Sequence, residues 1–195
     1  MNSDNKQQNL KNYSPRLKKL YFEKIAPEIM KELNLSSVMA VPKLEKIVIN
    51  MSVNEARENI QALEQAKDDI AAITGQMPEI MKAKKSISNF KLRQGMPIAL
   101  RVTLRGDRMY EFLDRFISLS APKIRDFQGF GSKQFDGRGN YNVGIKDHLV
   151  FPEVNLEKSL KPRGMNITFA FRKADDGKAR LLMEYLGVPF KKEKK

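Results

Sequence analysis

Two spacings of apolar residues alternate along this chain, and each predicts its own set of elements. Residues 97–105 carry a period of two: Ile98, Leu100, Val102 and Leu104 point to one face of a strand, and Ala99, Arg101, Thr103 and Arg105 to the other. The same period predicts a strand over 46–53, with Ile47, Ile49, Met51 and Val53 inward and Lys46, Asn50 and Ser52 outward, interrupted by Val48. Further strands are predicted at 77–81, at 143–151 and at 166–171, where Ile167, Phe169 and Phe171 alternate with Asn166, Thr168 and Ala170. Helical spacing appears at Leu17, Leu20, Tyr21, Ile25 and Ile29, behind Ser14-Pro15 as a start signal and with Pro27 expected to bend or split the helix. A second helix is predicted from about Glu55 to Thr74, with Ile60, Leu63, Ile70 and Ile73 inward and Gly75 as its stop. A third starts at Gly106-Asp107 with Asp107 as its cap, buries Met109, Phe112, Leu113, Phe116 and Ile117, and ends at Pro122; a fourth runs from Asp175 to Leu186 before Gly187. The strands do not follow a βαβ order. The expected fold is therefore α+β: a single domain over 13–190, largely an antiparallel sheet, with helices on one face and a polar face left open.

Charge changes what that open face is for. The chain has 195 residues with 36 Lys+Arg against 23 Asp+Glu, a formal charge of +13. The excess is clustered. Residues 82–93 hold five cations, Lys82, Lys84, Lys85, Lys91 and Arg93, and no carboxylate. An unbalanced run costs self-repulsion unless something anionic lies opposite it. A long basic loop beside a strand with an Arg/Thr face is a platform for a phosphate backbone, since each contact releases condensed counterions. The first twelve residues are polar, have no signal-peptide core, and are expected to be disordered until bound; residues 191–195 form a basic tail. No stretch has the length of a membrane span, and no membrane partner or small-molecule substrate is expected.

Enzyme chemistry finds little to use. There is no cysteine, which excludes disulfides and thiolate sites, and His148 is the only histidine, which excludes a two-histidine metal site. On the predicted 143–151 strand His148 reads as a surface or partly buried residue. Asp126, Asp136, Asp147 and Glu153 lack dedicated ligand spacing for a metal. Residues 129–133, Gly-Phe-Gly-Ser-Lys, match neither a dinucleotide fingerprint nor a triphosphate loop. The amides of Gly137-Arg138-Gly139-Asn140 could face an anion, although a turn explains the glycines more simply, and Arg138 sits where a partner could be gripped. Neither a metal nor a cofactor is expected. A free-standing RNA chaperone and an RNA phosphoryl-transfer enzyme remain as alternatives from other classes. The first would show little preference between RNA shapes, and the second would need Mg²⁺-dependent turnover through Asp126 or Asp136.

Ordered blocks then narrow the reading. Lys43–Met51, Ile73-Thr74-Gly75-Gln76, Lys82–Arg93, Gly95-Met96-Pro97-Ile98, Val102–Gly106, Phe135–Tyr141, Phe151-Pro152-Glu153 and Arg163-Gly164-Met165 occur in sequence. Together, from Pro15 to Phe190, they resemble the bacterial family of large-subunit ribosomal protein five. The resemblance implies a binding protein without catalysis that grips 5S rRNA and helps attach it to 23S rRNA in the central protuberance. It assigns Asn50, Arg101, Thr103 and Arg105 to 5S rRNA. It assigns the loop residues Lys82, Lys84, Lys85, Ser86, Asn89, Lys91 and Arg93 to peptidyl-site tRNA or adjacent rRNA. A bridge to small-subunit protein thirteen is implied, with Phe127, Gly129, Phe130, Arg138 and Asn140 as candidates, alongside contacts with neighbouring large-subunit proteins. The chain departs from the family pattern at Ser52, Asn54 and Ala99, where glycine is usual.

Overall fold

A computed structural model describes residues 13–191 apart from 58, 156, 158 and 160. The polar extension over 1–12 and tail residues 192–195 lie outside the described residues. Five strands, β1 (Lys43–Ser52), β2 (Glu79–Lys82), β3 (Pro97–Leu104), β4 (Tyr141–Ile145) and β5 (Met165–Arg172), form one antiparallel sheet in the order β2-β3-β1-β5-β4. The register lines up apolar rows on one face. Ile47 lies between Leu104 and Phe169, Ile49 between Val102 and Ile167, and Met51 between Leu100 and Met165, all buried. β1 starts three residues before its predicted position because Lys43 and Leu44 pair with Arg172 and Phe171 across a bulge. β4 is shorter and earlier than predicted. The chain turns at Lys146, and the Asp147 carboxylate accepts from the Leu149 amide (2.8 Å) to cap a 3-10 turn, His148–Val150.

The helices cover the apolar face. The first rod begins as α1 (Arg16–Leu20), widens into a π-helical stretch, Tyr21–Ile25, and continues as α2 (Ala26–Glu32). Pro27, in the first turn of α2, has no amide hydrogen to give back to the preceding turn, which is where the ladder changes pitch. α3 (Ile60–Thr74) starts later than predicted, capped by Asn59, whose side chain accepts from the Gln61 amide (2.9 Å). Ile60 consequently sits on the first exposed turn, 66% accessible, and not in the core. α4 (Gly106–Arg115) has Arg105 at its cap position, and Asp107 serves a different purpose from the capping expected of it: its carboxylate binds Lys18 at 2.6 Å and ties α4 to α1. A π-helical stretch, Phe116–Ser120, and a 3-10 turn, Ala121–Lys123, then bring the rod to its end at Pro122. α5 (Asp176–Tyr185) is capped by Asp175, which accepts from the Lys178 amide at 2.8 Å.

Aromatic rings join these layers. Phe116 stacks against Phe112 (6.0 Å between centroids), Phe130 (5.6 Å) and Phe151 (6.3 Å), and meets Phe169 of β5 at 6.1 Å. Each such pair adds roughly 0.5–1.5 kcal/mol beyond its buried area. The glycine-rich segment is fastened by carboxylates. Asp136 accepts from the amides of Arg138 (2.8 Å) and Asn140 (3.0 Å) and from the Asn140 side chain (2.7 Å). The Asn140 side chain and these amides hold the Asp136 carboxyl below its ordinary pKa, so its support of the loop is complete above the unfolded carboxylate pKa and fades as pH falls. The amides of Gly137 and Gly139 donate to Asp176, at 3.1 and 2.7 Å. The concavity that the sequence offers to an external anion is thus filled by an aspartate of the chain itself.

Two glycines in that loop separate backbone strain from crowding. Both have positive φ, +79° at Gly137 and +81° at Gly139, but a Cβ at Gly137 meets nothing within 4 Å while one at Gly139 falls 2.4 Å from the Ala174 carbonyl oxygen. Gly137→Ala is expected to lower stability by about 1 kcal/mol. Gly139→Ala should lower it by at least twice that, read as a larger drop in urea midpoint; equal midpoints would contradict the packing described.

Candidate nucleic-acid interface

Because successive side chains point to opposite faces, burying Ile47, Ile49 and Met51 forces Lys46, Val48, Asn50 and Ser52 onto the open one. The register carries that choice across the sheet. One row reads Glu79, Arg101, Asn50, Asn166, Gly144 from edge to edge, and the next reads Thr103, Val48, Thr168, Asn142. At about 4.8 Å between strands, the first row spans roughly 19 Å. Asn50, Arg101, Asn142 and Asn166 are exposed, while Thr103 and Thr168 are half-buried. The Thr168 hydroxyl donates to Asn142 at 2.6 Å. The arginines of this face are paired: Arg101 with Glu79 at 2.8 Å, and Arg105 with Glu45 at 3.6 Å. The departures from the family pattern meet at one end of the same face. Ser52 lies opposite Ala99, and the Ser52 hydroxyl donates to Asn54 at 3.3 Å.

The basic loop extends the β2–β3 hairpin. Ala83 and Gly95 continue the ladder, Ile87 and Leu92 exchange two backbone bonds (2.9 and 3.0 Å), and Lys91 turns the tip with φ +51°. The Ser86 hydroxyl accepts from the Gln94 amide at 3.0 Å. Lys82, Lys84, Lys85, Ser86, Asn89, Lys91 and Arg93 are all exposed. Among the described residues, none of the five hairpin cations enters an ion pair, in contrast to Arg101 and Arg105. The tip carries apolar groups beside its cations: Ile87 and Phe90 stand out from it, Phe90 being 61% exposed.

Comparison with known proteins places this arrangement. The model of the family "Ribosomal protein L5" matches residues 37–93, and the model of that ribosomal family's C-terminus matches residues 97–190. The chain is 52% identical over 176 residues to the large ribosomal subunit protein uL5 of Geotalea uraniireducens, covering 90% of this chain and 98% of that one. It is 50% identical over 177 residues to the uL5 protein of Macrococcus caseolyticus, covering 91% and 99%. The chain belongs to the ribosomal protein L5 family. Members of the L5 family are structural proteins without enzymatic activity, and this chain is a constituent of the large ribosomal subunit, with rRNA and ribosomal proteins as its partners.

A buried polar cluster shows how a site can look catalytic in an L5 protein and not be one. His148 is completely buried, beyond the surface or partly buried position its predicted strand suggests. Its Nδ1 accepts the Arg163 amide (3.1 Å), which places the ring proton on Nε2, facing Ser159 Oγ (3.0 Å) and Asp69 Oδ2 (3.3 Å). The Ser159 hydroxyl donates to Asp69 at 2.8 Å. A serine nucleophile would need a free ring nitrogen to take its proton; here both nitrogens are committed and the hydroxyl already serves the carboxylate. The trio locks the segment before β5 onto α3. Among the described residues no group of acidic or histidine side chains is arranged to hold a metal ion.

The candidates for a bridge divide in two. Phe130 is buried in the aromatic core, and Phe127 is half-buried, leaning on it edge-to-face at 4.9 Å. A Cβ at Gly129 would fall 2.6 Å from the Lys191 backbone nitrogen, which gives that glycine a packing role. Asn140 is half-buried and bound to Asp136, and Arg138 alone of the five projects freely into solvent. Sequence reasoning passed over Asn142, Asn166 and Thr168 of the open face. The alternation of Asn166 and Thr168 with apolar residues marks them as outward, but their place in one row with Asn50 and Arg101 depends on the register.

Ser159→Ala leaves Asp69 and His148 buried without the hydroxyl that joins them. A loss of roughly 1–3 kcal/mol is expected in urea unfolding, with RNA affinity unchanged once folded. A fully stable variant would contradict the cluster's structural role.

Proposed function

We propose that the open sheet face binds 5S rRNA and helps attach it to 23S rRNA in the central protuberance. The observation that carries this reading is the five-strand row with Arg101, Asn50 and Asn166 exposed on it, with Thr103 in the next row and Arg105 just past the end of β3. RNA helices present a wide, shallow groove of 2′-hydroxyls and phosphates, which a flat array of neutral donors and acceptors reads by shape. Arg101 and Arg105, oriented by Glu79 and Glu45, add directed phosphate contacts. The basic hairpin then touches peptidyl-site tRNA or adjacent rRNA through Lys82, Lys84, Lys85, Ser86, Asn89, Lys91 and Arg93. Many weak phosphate contacts suit a ligand that must later move. Arg138 is the favoured contact to small-subunit protein thirteen.

Arg101→Gln with Thr103→Val tests the sheet. The double variant should lose selectivity for 5S rRNA over a generic RNA hairpin at every salt concentration, while the wild type keeps it at high salt. Equal binding of both RNAs by the wild type, collapsing together as salt rises, would favour a generic basic binder instead. Lys82→Gln, Lys84→Gln and Lys85→Gln combined should weaken tRNA retention on the ribosome while leaving 5S rRNA binding near wild type. Unchanged tRNA retention would remove the hairpin from that role.

A further inference from the structure

At the end of the sheet where β1 begins and β5 stops, the surface combines exposed apolar groups with unpaired cations. Phe22, in the π-helical turn, is 53% exposed, and Met39, in the turn before β1, is 77% exposed. With Val38 and Val41 they line a depression of about 180 Å³, closed on its other side by Lys43, Arg172 and Lys173. A depression of that size is on the scale of a single ring and not of a duplex. Phe22, Lys43 and Arg172 also wall a second depression of about 300 Å³, so this ridge is open to both sides.

The charge is one-sided. No carboxylate lines the smaller depression. Among the described residues, none of Lys43, Arg172 and Lys173 enters an ion pair. Lys43 and Arg172 are held side by side as a cross-strand pair, where like charges repel. Lys43 Nζ lies 5.3 Å from the centre of the Phe22 ring, and Lys173 donates to the Met39 carbonyl, which leaves ammonium hydrogens on both for another acceptor. An apolar wall with a flat ring, beside three cations that enter no ion pair among the described residues, fits a ligand that is planar and apolar at one end and anionic at the other; Glu45, which lines the second depression, is paired with Arg105.

We propose that this depression takes a single unpaired nucleotide of an RNA strand, its base against Phe22 and Met39 and its phosphate at Arg172 and Lys173. The site is separate from the row proposed for 5S rRNA and does not depend on that reading. Base-on-aromatic stacking accepts any base, and the cations grip the backbone whatever its sequence, so the nucleotide is selected by being unstacked.

The test uses the full chain and hexauridylate carrying one internal 4-thiouridine, photocrosslinked and mapped by mass spectrometry. A crosslink at Phe22 or in the 38–41 segment is expected. It should fall at least ~10-fold in Phe22→Ala and in Arg172→Gln with Lys173→Gln, and persist in Phe22→Tyr. A wild-type urea midpoint of Phe22→Ala shows that the variant is folded, and unchanged binding of 5S rRNA shows that the two sites are distinct. Crosslinks confined to the basic hairpin or the open face, or a Phe22→Ala crosslink as strong as wild type, would overturn the proposal. The latter results would leave the surface to a protein neighbour.

Discussion

The packing of Phe112, Phe116, Phe130, Phe151 and Phe169 between the helices and the sheet is the constraint on which everything else depends. One face of β1, β3, β4 and β5 is thereby assigned to the interior, while the edge strand β2 buries no residue. A slip of one residue would turn Ile47, Ile49 and Met51 to water and bury Asn50, so register and face are chosen together. The polar row across five strands is the other side of that choice. Its spacing is set by backbone pairing and needs no order from the ligand.

Two electrostatic designs coexist on this scaffold. On the sheet, Arg101 and Arg105 are held by Glu79 and Glu45, which lowers net attraction to any polyanion and leaves shape and hydrogen bonding to discriminate. On the hairpin, none of the five cations enters an ion pair among the described residues, so attraction to a polyanion is stronger there and sensitive to salt. On the function proposed above, the first design serves an RNA that is held and the second an RNA that is touched and released.

The alternation in β1, β3 and β5 and the helical stripe of α4 could be read from the sequence, since local periodicity follows directly from which face is buried. The open polar face and the basic hairpin follow from the same patterns. What could not be read rests on contacts distant along the chain. Glu79 reaches Arg101, Asp176 fills the Gly137–Gly139 turn, and Asp69 meets His148 and Ser159, all joined only by the tertiary fold. Phe130 shows the same limit. A phenylalanine in a glycine-rich loop reads as exposed, until Phe116 of the π-helical stretch stacks on it and its backbone bridges to Phe190. Ile60 errs the other way, because Asn59 and not Glu55 begins the helix.

The most direct test of the central claim asks which face meets the RNA. A photoreactive benzoylphenylalanine at Asn166, in the middle of the open face, is compared with one at Glu64, exposed on α3 on the helical side. With 5S rRNA bound, crosslinking from position 166 and none from position 64 is the predicted result. Crosslinking from position 64, with position 166 silent, would contradict the assignment of the open face as the rRNA interface.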